Sequence, residues 1–355
     1  VRWSVAMKKR KHPEFKQDYS TLAVFTYYSN VAACFVPSTE RQLSTHTIVT
    51  CLFGKRAHTE SAMFSCSVTP EGVFFLLDRT AVEALDLEPY IGRHVESAND
   101  LWRCLYIHES SETRNGSEVF GTLAALTAQL AAAQVPVLNM TSLERNFMLV
   151  RAHHADAALK QLQETLEGRA HADSSAMGLA CDLNKNILTA ASPRLELLPE
   201  SVAMGSFPSD KIPQCAHALI SILLYSGSAF CHLFELGGEV SLIMDESSLA
   251  ALSSTHLSSA NVLLSAIGDS IARNWRVLSI GCPAGSETVG ILSAICLPLA
   301  SLPIMNVSTL ERNFLLIKAA QLEQAIELLA PHFEVARPVP AYAASSRHEQ
   351  QSSCV

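Results

Sequence analysis

The sequence predicts an α+β fold of ferredoxin-like βαββαβ modules, about four of them, arranged as two duplicated tandem pairs. Three observations predict it. Residues 135–150 (VPVLNMTSLERNFMLV) lie over residues 302–317 (LPIMNVSTLERNFLLI), with eight of sixteen positions identical at an offset of 167. Further matches follow in the same order in both halves: 73–78 over 240–245, 116–121 (GSEVFG) over 285–290 (GSETVG), and 101–103 (LWR) over 274–276 (NWR). Roughly twice within each half, the apolar patterns run strand, helix, two strands, helix, strand, which is the split ferredoxin-like order. Two long copies are a duplicated domain; stacking solenoids use more and shorter repeats.

The elements are clearest in the second half. Residues 201–207 form an apolar strand. Ser209 then caps a helix that runs to about Tyr225, with Ala218, Leu219, Ile222 and Leu223 at helical spacing. Residues 230–236 and 239–244 are strands, and Gly237-Gly238 between them signals a hairpin. Asp245 starts a short helix, and 275–280 is a strand. Then come a helix at 288–300, strands at 304–308 and 314–318, a helix at 320–330 and a strand at 334–337. In each half the fourth strand of the first module is indistinct. Residues 21–165 and 201–337 are therefore the two tandem pairs. The intervening 166–200 is a linker, and 1–20 and 338–355 are solvated, disordered tails.

Composition narrows the function. Of the 355 residues, 48% are hydrophobic and 17% charged, so the chain buries a sizeable core. Lys+Arg 26 against Asp+Glu 34 gives a net charge of −8, unlike the basic face of a nucleic-acid binder. The ten cysteines show no CxxC and no regular spacing, and read as reduced core thiols. Residues 119–143 and 288–310 contain no charged residue and are long enough to span a bilayer. Each holds an internal proline and splits into an Ala/Leu-rich part and a β-branched part, so each reads as a buried helix followed by a buried strand. The basic run Lys8-Lys9-Arg10-Lys11 reads as part of a solvated tail, and no secretory pattern lies near Val1.

No set of residues suggests a catalyst. There is no HExxH, no GxxxxGK[ST], no nucleophile elbow and no metal-ligand spacing among the thirteen histidines. No cofactor is expected, and the chain is not expected to be an enzyme. The segment 285–290 is the one recess-building feature. It leads into a helix, whose first N–H groups lack partners and carry partial positive charge. Glycines there let a carboxylate approach the backbone, and Glu287 can face an ammonium group. One loop of this kind addresses both charges of a free amino acid; the other reading is a plain turn before a capped helix. The repeated Leu-Glu-Arg-Asn-Phe stretch reads as a tight turn between strands. Phe147 and Phe314 are then in the core, and Glu144, Arg145, Glu311 and Arg312 in solvent.

The element order, the helix-then-strand segments ending in 141–142 and 308–309, and the aromatic-aliphatic strands after them resemble ACT modules. More closely, the chain resembles the CASTOR family of cytosolic arginine sensors, which carry four ACT modules in two tandem pairs. The resemblance covers roughly 31–165 and 200–335. It implies a cytoplasmic amino-acid sensor, for arginine or a related ligand bound between the second and fourth modules. It also implies regulation of a signalling partner. By position, Gly285, Gly290 and Ile291 match the glycine-rich loop that holds the ligand's main-chain end. Thr309 matches a strand position beside its side chain, and Val137 a wall from the second module. The family's aspartate facing the guanidinium falls at Asn313, its aromatic neighbour at Leu310, and its second-module serine at Pro136. Its loop glutamate falls at Thr288, beside Glu287. Leu143, Glu144 and Asn146 occupy the turn that in the family meets the GATOR2 complex upstream of TORC1. The expected partners are thus a free amino acid and a GATOR2-like complex, with a homodimer left open and neither nucleic acid nor membrane. An ACT-type regulatory subunit of an amino-acid biosynthetic enzyme such as aspartokinase is the alternative. A duplicated scaffold without ligand binding is a third reading.

Overall fold

Runs rich in β-branched and aromatic residues become strands, and Ala/Leu-rich runs between them become helices. The computed structural model describes residues 22–53, 63–91, 101–109, 116–142, 146–166, 194–255, 257–268, 271–281 and 289–336. The first half contains β1 (Leu22–Pro37), α1 (Arg41–Phe53), β2 (Phe64–Thr69), β3 (Gly72–Asp78), α2 (Arg79–Ala84), β4 (Trp102–Glu109), α3 (Gly116–Ala132), β5 (Val137–Thr141), β6 (Asn146–Arg151) and α4 (Ala155–Leu166). The second contains β7 (Arg194–Pro208), α5 (Ile212–Ile220), β8 (Cys231–Leu236), β9 (Glu239–Asp245), α6 (Glu246–Ser254), α7 (Ser258–Ile267), β10 (Ala272–Gly281), α8 (Ile291–Cys296), β11 (Ile304–Ser308), β12 (Arg312–Lys318), α9 (Leu322–Leu329) and β13 (Glu334–Ala336). The duplication extends to the helix caps. Asp78 and Asp245, at matched positions, accept from the backbone N–H of Ala81 at 2.9 Å and of Ser248 at 2.6 Å.

The strands form one sheet in the order β11-β12-β10-β7-β9-β8-β2-β3-β1-β4-β6-β5, with β13 beside β7. The two halves of that order mirror each other: β8-β9-β7-β10-β12-β11 repeats β2-β3-β1-β4-β6-β5. They join through antiparallel β2 and β8, where Phe64 pairs with Glu235 and Val68 with Cys231. The sheet curls until its two ends, β5 and β11, meet through side-chain hydrogen bonds.

Curling gives the sheet an inner face and an outer one. One core on the inner face unites both halves, with Val31, Phe74, Trp102 and Phe147 beside Phe234, Trp275, Val307 and Phe314. The Phe147 and Phe234 rings lie 4.9 Å apart across the halves. Burying each ring stabilises the fold by about 1.5–3 kcal/mol. The outer face is covered by helices in two groups. Residues of α1, α5 and α7 pack over β1, β2, β3, β8 and β9. Those of α3, α4, α8 and α9 pack over the β4–β6 and β10–β12 regions. Seven described cysteines are buried thiols within these cores, and burial pushes the Cys66, Cys104 and Cys296 thiols up.

Several boundaries differ from the expectation, for reasons of long-range pairing. β7 begins at Arg194, inside the stretch read as a linker over 166–200. Its first residues are held by β10 on one side and, in parallel, by β13 on the other. β7 thus stands between β10 and β13, where a ferredoxin-like module pairs its first and last strands directly. In the first half, an isolated bridge from Cys34 to Ile91 stands at the indistinct fourth strand. Helix α7, unforeseen, runs from Ser258 with no side-chain cap. The helix expected at 209–225 is α5, with Pro213 in its first turn, continued by a π-turn at Ser221–Tyr225. α8 ends at Cys296, well short of Ala300, and turns follow through Pro298. No helix among the described residues is long and apolar enough to cross a membrane. The tails 1–20 and 338–355 lie outside the described residues.

Candidate functional site

The β5–β11 junction brings the two halves together a second time, and here they meet through side chains. Along β5, Leu138 and Met140 belong to the inner core, so Val137, Asn139 and Thr141 face the helices by alternation. The same alternation turns Asn306, Ser308 and Asn313 outward, since Met305, Val307 and Phe314 pack inward. Asn139 donates its backbone N–H to Ser308 Oγ at 3.0 Å and its Nδ2 to the Asn306 carbonyl at 3.0 Å. Thr141 Oγ1 donates to that carbonyl at 2.8 Å. Within each half, Thr141 lies 2.9 Å from Asn146 Oδ1, and Ser308 Oγ donates to Asn313 Oδ1. All six residues are buried and none is ionisable.

Above this seam α3 packs on α8. α3 brings small and apolar residues to the contact, and every residue of α8 is buried. Gly290 precedes α8 with φ 87°, a left-handed conformation that an L side chain strains. A recess of about 10 Å³, room for roughly one water, is lined by Thr127, Ala131, Val135 and Val137 of one half and Gly290, Leu292 and Ser293 of the other. Thr127 Oγ1 donates to the Leu123 carbonyl at 2.8 Å. Among the described residues, no lining side chain carries a charge.

The expected site residues divide among three places. Val137 and Gly290 line this recess, with Ile291 buried beside Gly290, and Pro136 is buried next to Val137. Asn313 and Asn146 belong to the polar seam below. Leu310 packs in the inner core on the other face, and Thr309 closes the β11–β12 turn through its N–H to the Arg312 carbonyl at 2.7 Å. Gly285, Glu287, Thr288, Leu143 and Glu144 lie outside the described residues. Reasoning from sequence did not single out Asn139, Thr141, Asn306 and Ser308. A signal was present: one asparagine recurs at 139 and 306 within two otherwise apolar strands.

A second recess, of about 20 Å³, lies where the first half meets the β11–β12 turn. Phe35, Phe74 and Phe314 wall it, with Ser67, Thr69, Glu71, Thr309, Glu311 and Arg312. Phe147 and Phe314 are core residues, as the turn motif suggested. Arg312, expected in solvent, is instead held on three sides. It donates to Glu196 Oε2 at 2.9 Å and Ser279 Oγ at 3.0 Å, and pairs with Glu71 at 3.4 Å. At the β2–β8 join, fully buried His232 shares a 2.9 Å hydrogen bond with Ser67. Burial lowers its pKa to about 3, and its Nε2 has no partner. No cluster of three or more His, Cys, Asp or Glu suited to a metal occurs among the described residues.

ACT domains are present in two regions of the chain, at 97–164 and 270–331, where the ACT domain family profile matches. These regions contribute β4–β6 with α3 and β10–β12 with α8, the parts that meet at the seam. The chain is 22% identical over 312 residues to the "Cytosolic arginine sensor for mTORC1 subunit 1" of Rattus norvegicus, covering 81% of this chain and 90% of that one. The Bos taurus protein of that name is 24% identical over 313 residues, covering 81% of this chain and 91% of that one. Among solved structures, a protein of unknown function from Vibrio cholerae aligns at 14% identity and TM-score 0.29, over 42% of this chain and 92% of that one. An aspartate kinase from Synechocystis aligns at 12% identity and TM-score 0.30, over 90% of this chain and 57% of that one. Scores of that size carry no argument.

Proposed function

We propose that this chain is a cytosolic amino-acid sensor that binds its ligand at the seam between its two halves and thereby regulates a signalling partner. The observation that carries the reading is the recess lined by Val137 from one ACT region and Gly290 from the other. The similarity to cytosolic arginine sensors along 81% of the chain supports it. On this reading 21–165 and 201–337 are two tandem ACT pairs, the second extended by β7 to Arg194. The loop with Gly285, Glu287 and Thr288 takes the ligand's main-chain end, and Ile291 backs it. Pro136 and Asn313 shape the surroundings; Leu310, expected beside the ligand, packs on the other face of the sheet, and Thr309 closes the β11–β12 turn.

The mechanism is linkage and needs no covalent step. A ligand touching both halves favours their closed arrangement by its differential affinity for it. Closure reshapes the surface around Leu143 and Glu144, where a GATOR2-like complex of the TORC1 pathway would dock, and Asn146, expected there, is instead buried in the seam.

Calorimetry of the full chain against the twenty amino acids tests the sensor reading. Binding of at least one is expected, and loss of it in Gly290→Asp locates the site. No heat at millimolar ligand overturns the reading. Affinity purification separates the roles: a signalling scaffold is expected, and recovery of a metabolic enzyme instead favours a regulatory subunit.

A further inference from the structure

We propose that Glu71, Arg312 and Glu196 form an ionic clasp across the inner face of the sheet, which sets how far the sheet curls and so makes closure of the β5–β11 seam depend on ionic strength. The inference rests on the geometry of the sheet and requires no ligand.

Arg312 shares the inner face with Phe314 by alternation. Its Nη1 donates to Glu196 Oε2 at 2.9 Å and to Ser279 Oγ at 3.0 Å, both on its own half. These bonds hold the guanidinium so that Nη2 reaches Glu71, in the β2–β3 turn of the other half, at 3.4 Å. Along the sheet, β10, β7, β9 and β8 separate β12 from β2. The Glu71–Arg312 pair is therefore a chord across the curl. Widening the curl lengthens such a chord and parts β5 from β11. The chord also acts close to the seam. Thr309 is bonded to the Arg312 backbone by its N–H, at 2.7 Å, and by its hydroxyl, at 3.0 Å. Its neighbour Ser308 accepts the Asn139 N–H across the seam.

The mirror place in the repeat is uncharged. Ser279 pairs with Phe314 and Glu196, where Tyr106 pairs with Phe147 and Phe25. Glu196 and Ser279 thus correspond to Phe25 and Tyr106, whose rings stack at 5.1 Å. Glu71 corresponds to Gly238 at the repeat offset of 167. The repeat differs at all three positions around Arg312, and each difference supplies an acceptor for a guanidinium. The mirror chord is the ring contact of Phe147 with Phe234 at 4.9 Å, which salt does not screen.

Amide hydrogen exchange at Asn139, whose N–H crosses the seam, reads the opening on the full-length chain with no ligand. Glu71→Gln is expected to speed it about two- to five-fold, as suits a half-exposed pair. The amides of the β2–β8 ladder, Phe64–Val68 and Cys231–Glu235, are expected to keep their rates. Raising NaCl from about 0.05 M to about 1 M is expected to speed Asn139 exchange by a similar factor in the unmodified chain and by less in the variant. An unchanged Asn139 rate in Glu71→Gln, or a salt effect as large in the variant as in the unmodified chain, overturns the clasp. So does an equal rise along the β2–β8 ladder, which marks general loss of stability. Glu83→Gln breaks a half-exposed pair with Arg79 inside α2, away from the chord, and is expected to leave Asn139 exchange unchanged; an effect as large as that of Glu71→Gln overturns the clasp as well. None of these outcomes bears on amino-acid binding, so the sensor reading stands or falls by calorimetry.

Discussion

Asn139 and Asn306, identical residues at matched positions of the two repeats, stand at opposite ends of the sheet path yet touch. The Asn139 Nδ2 donates to the Asn306 carbonyl at 3.0 Å. At the other junction, β2 and β8 share a backbone ladder from Phe64 to Val68. The halves are therefore fastened unequally. One join is continuous sheet, and the other is a row of side-chain bonds beneath the candidate site. On the sensor reading, the second is the join that a ligand would open or close.

Thr141→Val keeps the volume at the seam and removes a hydroxyl bonded to Asn139, Asn146 and Asn306. Unfolding in urea is expected to show a loss of about 1–3 kcal/mol, because buried partners stay unsatisfied. A change below about 0.5 kcal/mol would mean that the seam contributes little.

His232 makes stability depend on pH. Its folded pKa, about 3, lies below the unfolded value of 6.5 because burial disfavours the charged form. The unfolded chain thus binds more protons between these values. The contribution is fully present above pH 6.5 and is lost progressively as pH falls toward 3. Between pH 6.5 and 5 the loss is about 2 kcal/mol. In His232→Phe, urea midpoints at the two pH values are expected to lie closer together than in the unmodified chain.

Gly205→Ala places a Cβ 2.3 Å from Ile267 Cγ2, so Ile267, the buried last residue of α7, must shift. A loss of about 1–3 kcal/mol is expected from this overpacking. The additional variant Ile267→Val should recover part of it, and thermal melts of the single and double variants check both.

Arg312→Ala removes pairs to Glu71 and Glu196 whose side chains are half exposed. Solvent screening holds the expected cost to about 1 kcal/mol or less, shrinking further in high salt. A salt-independent loss of several kcal/mol would show that the packing around Phe35, Phe74 and Phe314 depends on it.

Asn313→Asp puts a carboxylate beside Ser308 in the seam, and its oxygen can still accept from that hydroxyl. With no ligand, the buried charge is expected to lower the melting temperature. Arginine is expected to restore it more than glutamine does, with a gain in arginine affinity of about ten-fold. Equal restoration by both ligands would separate Asn313 from the ligand's side chain.

Local pattern carried much of the fold. The hairpin at Gly237-Gly238, the helix start at Asp245, and the burial of Phe147 and Phe314 depend on neighbours close in the chain or on simple apolar alternation, whereas Ser209, expected as a cap, lies in a 3-10 turn and the helix after it has no side-chain cap. The early start of β7 depends on β10 and β13, more than 75 residues away, and left no local trace. Part of the candidate site was legible, because Val137 and Gly290 stand in repeated segments. Leu310 shows the limit: its resemblance to a ligand neighbour says nothing of the face it takes, and it packs inward.

The amino-acid sequence alone determined that the chain is two related halves and which residues alternate between core and solvent, since repetition and periodicity are properties of order along the chain. Only the tertiary structure decided that β5 meets β11. It also decided that Arg312 is clasped by three partners and that two identical asparagines take different ones, Asn139 Nδ2 the Asn306 carbonyl and Asn306 Nδ2 the Phe314 carbonyl. Those outcomes depend on how far a sheet curls, and curl is set by the packing of all its strands and helices together.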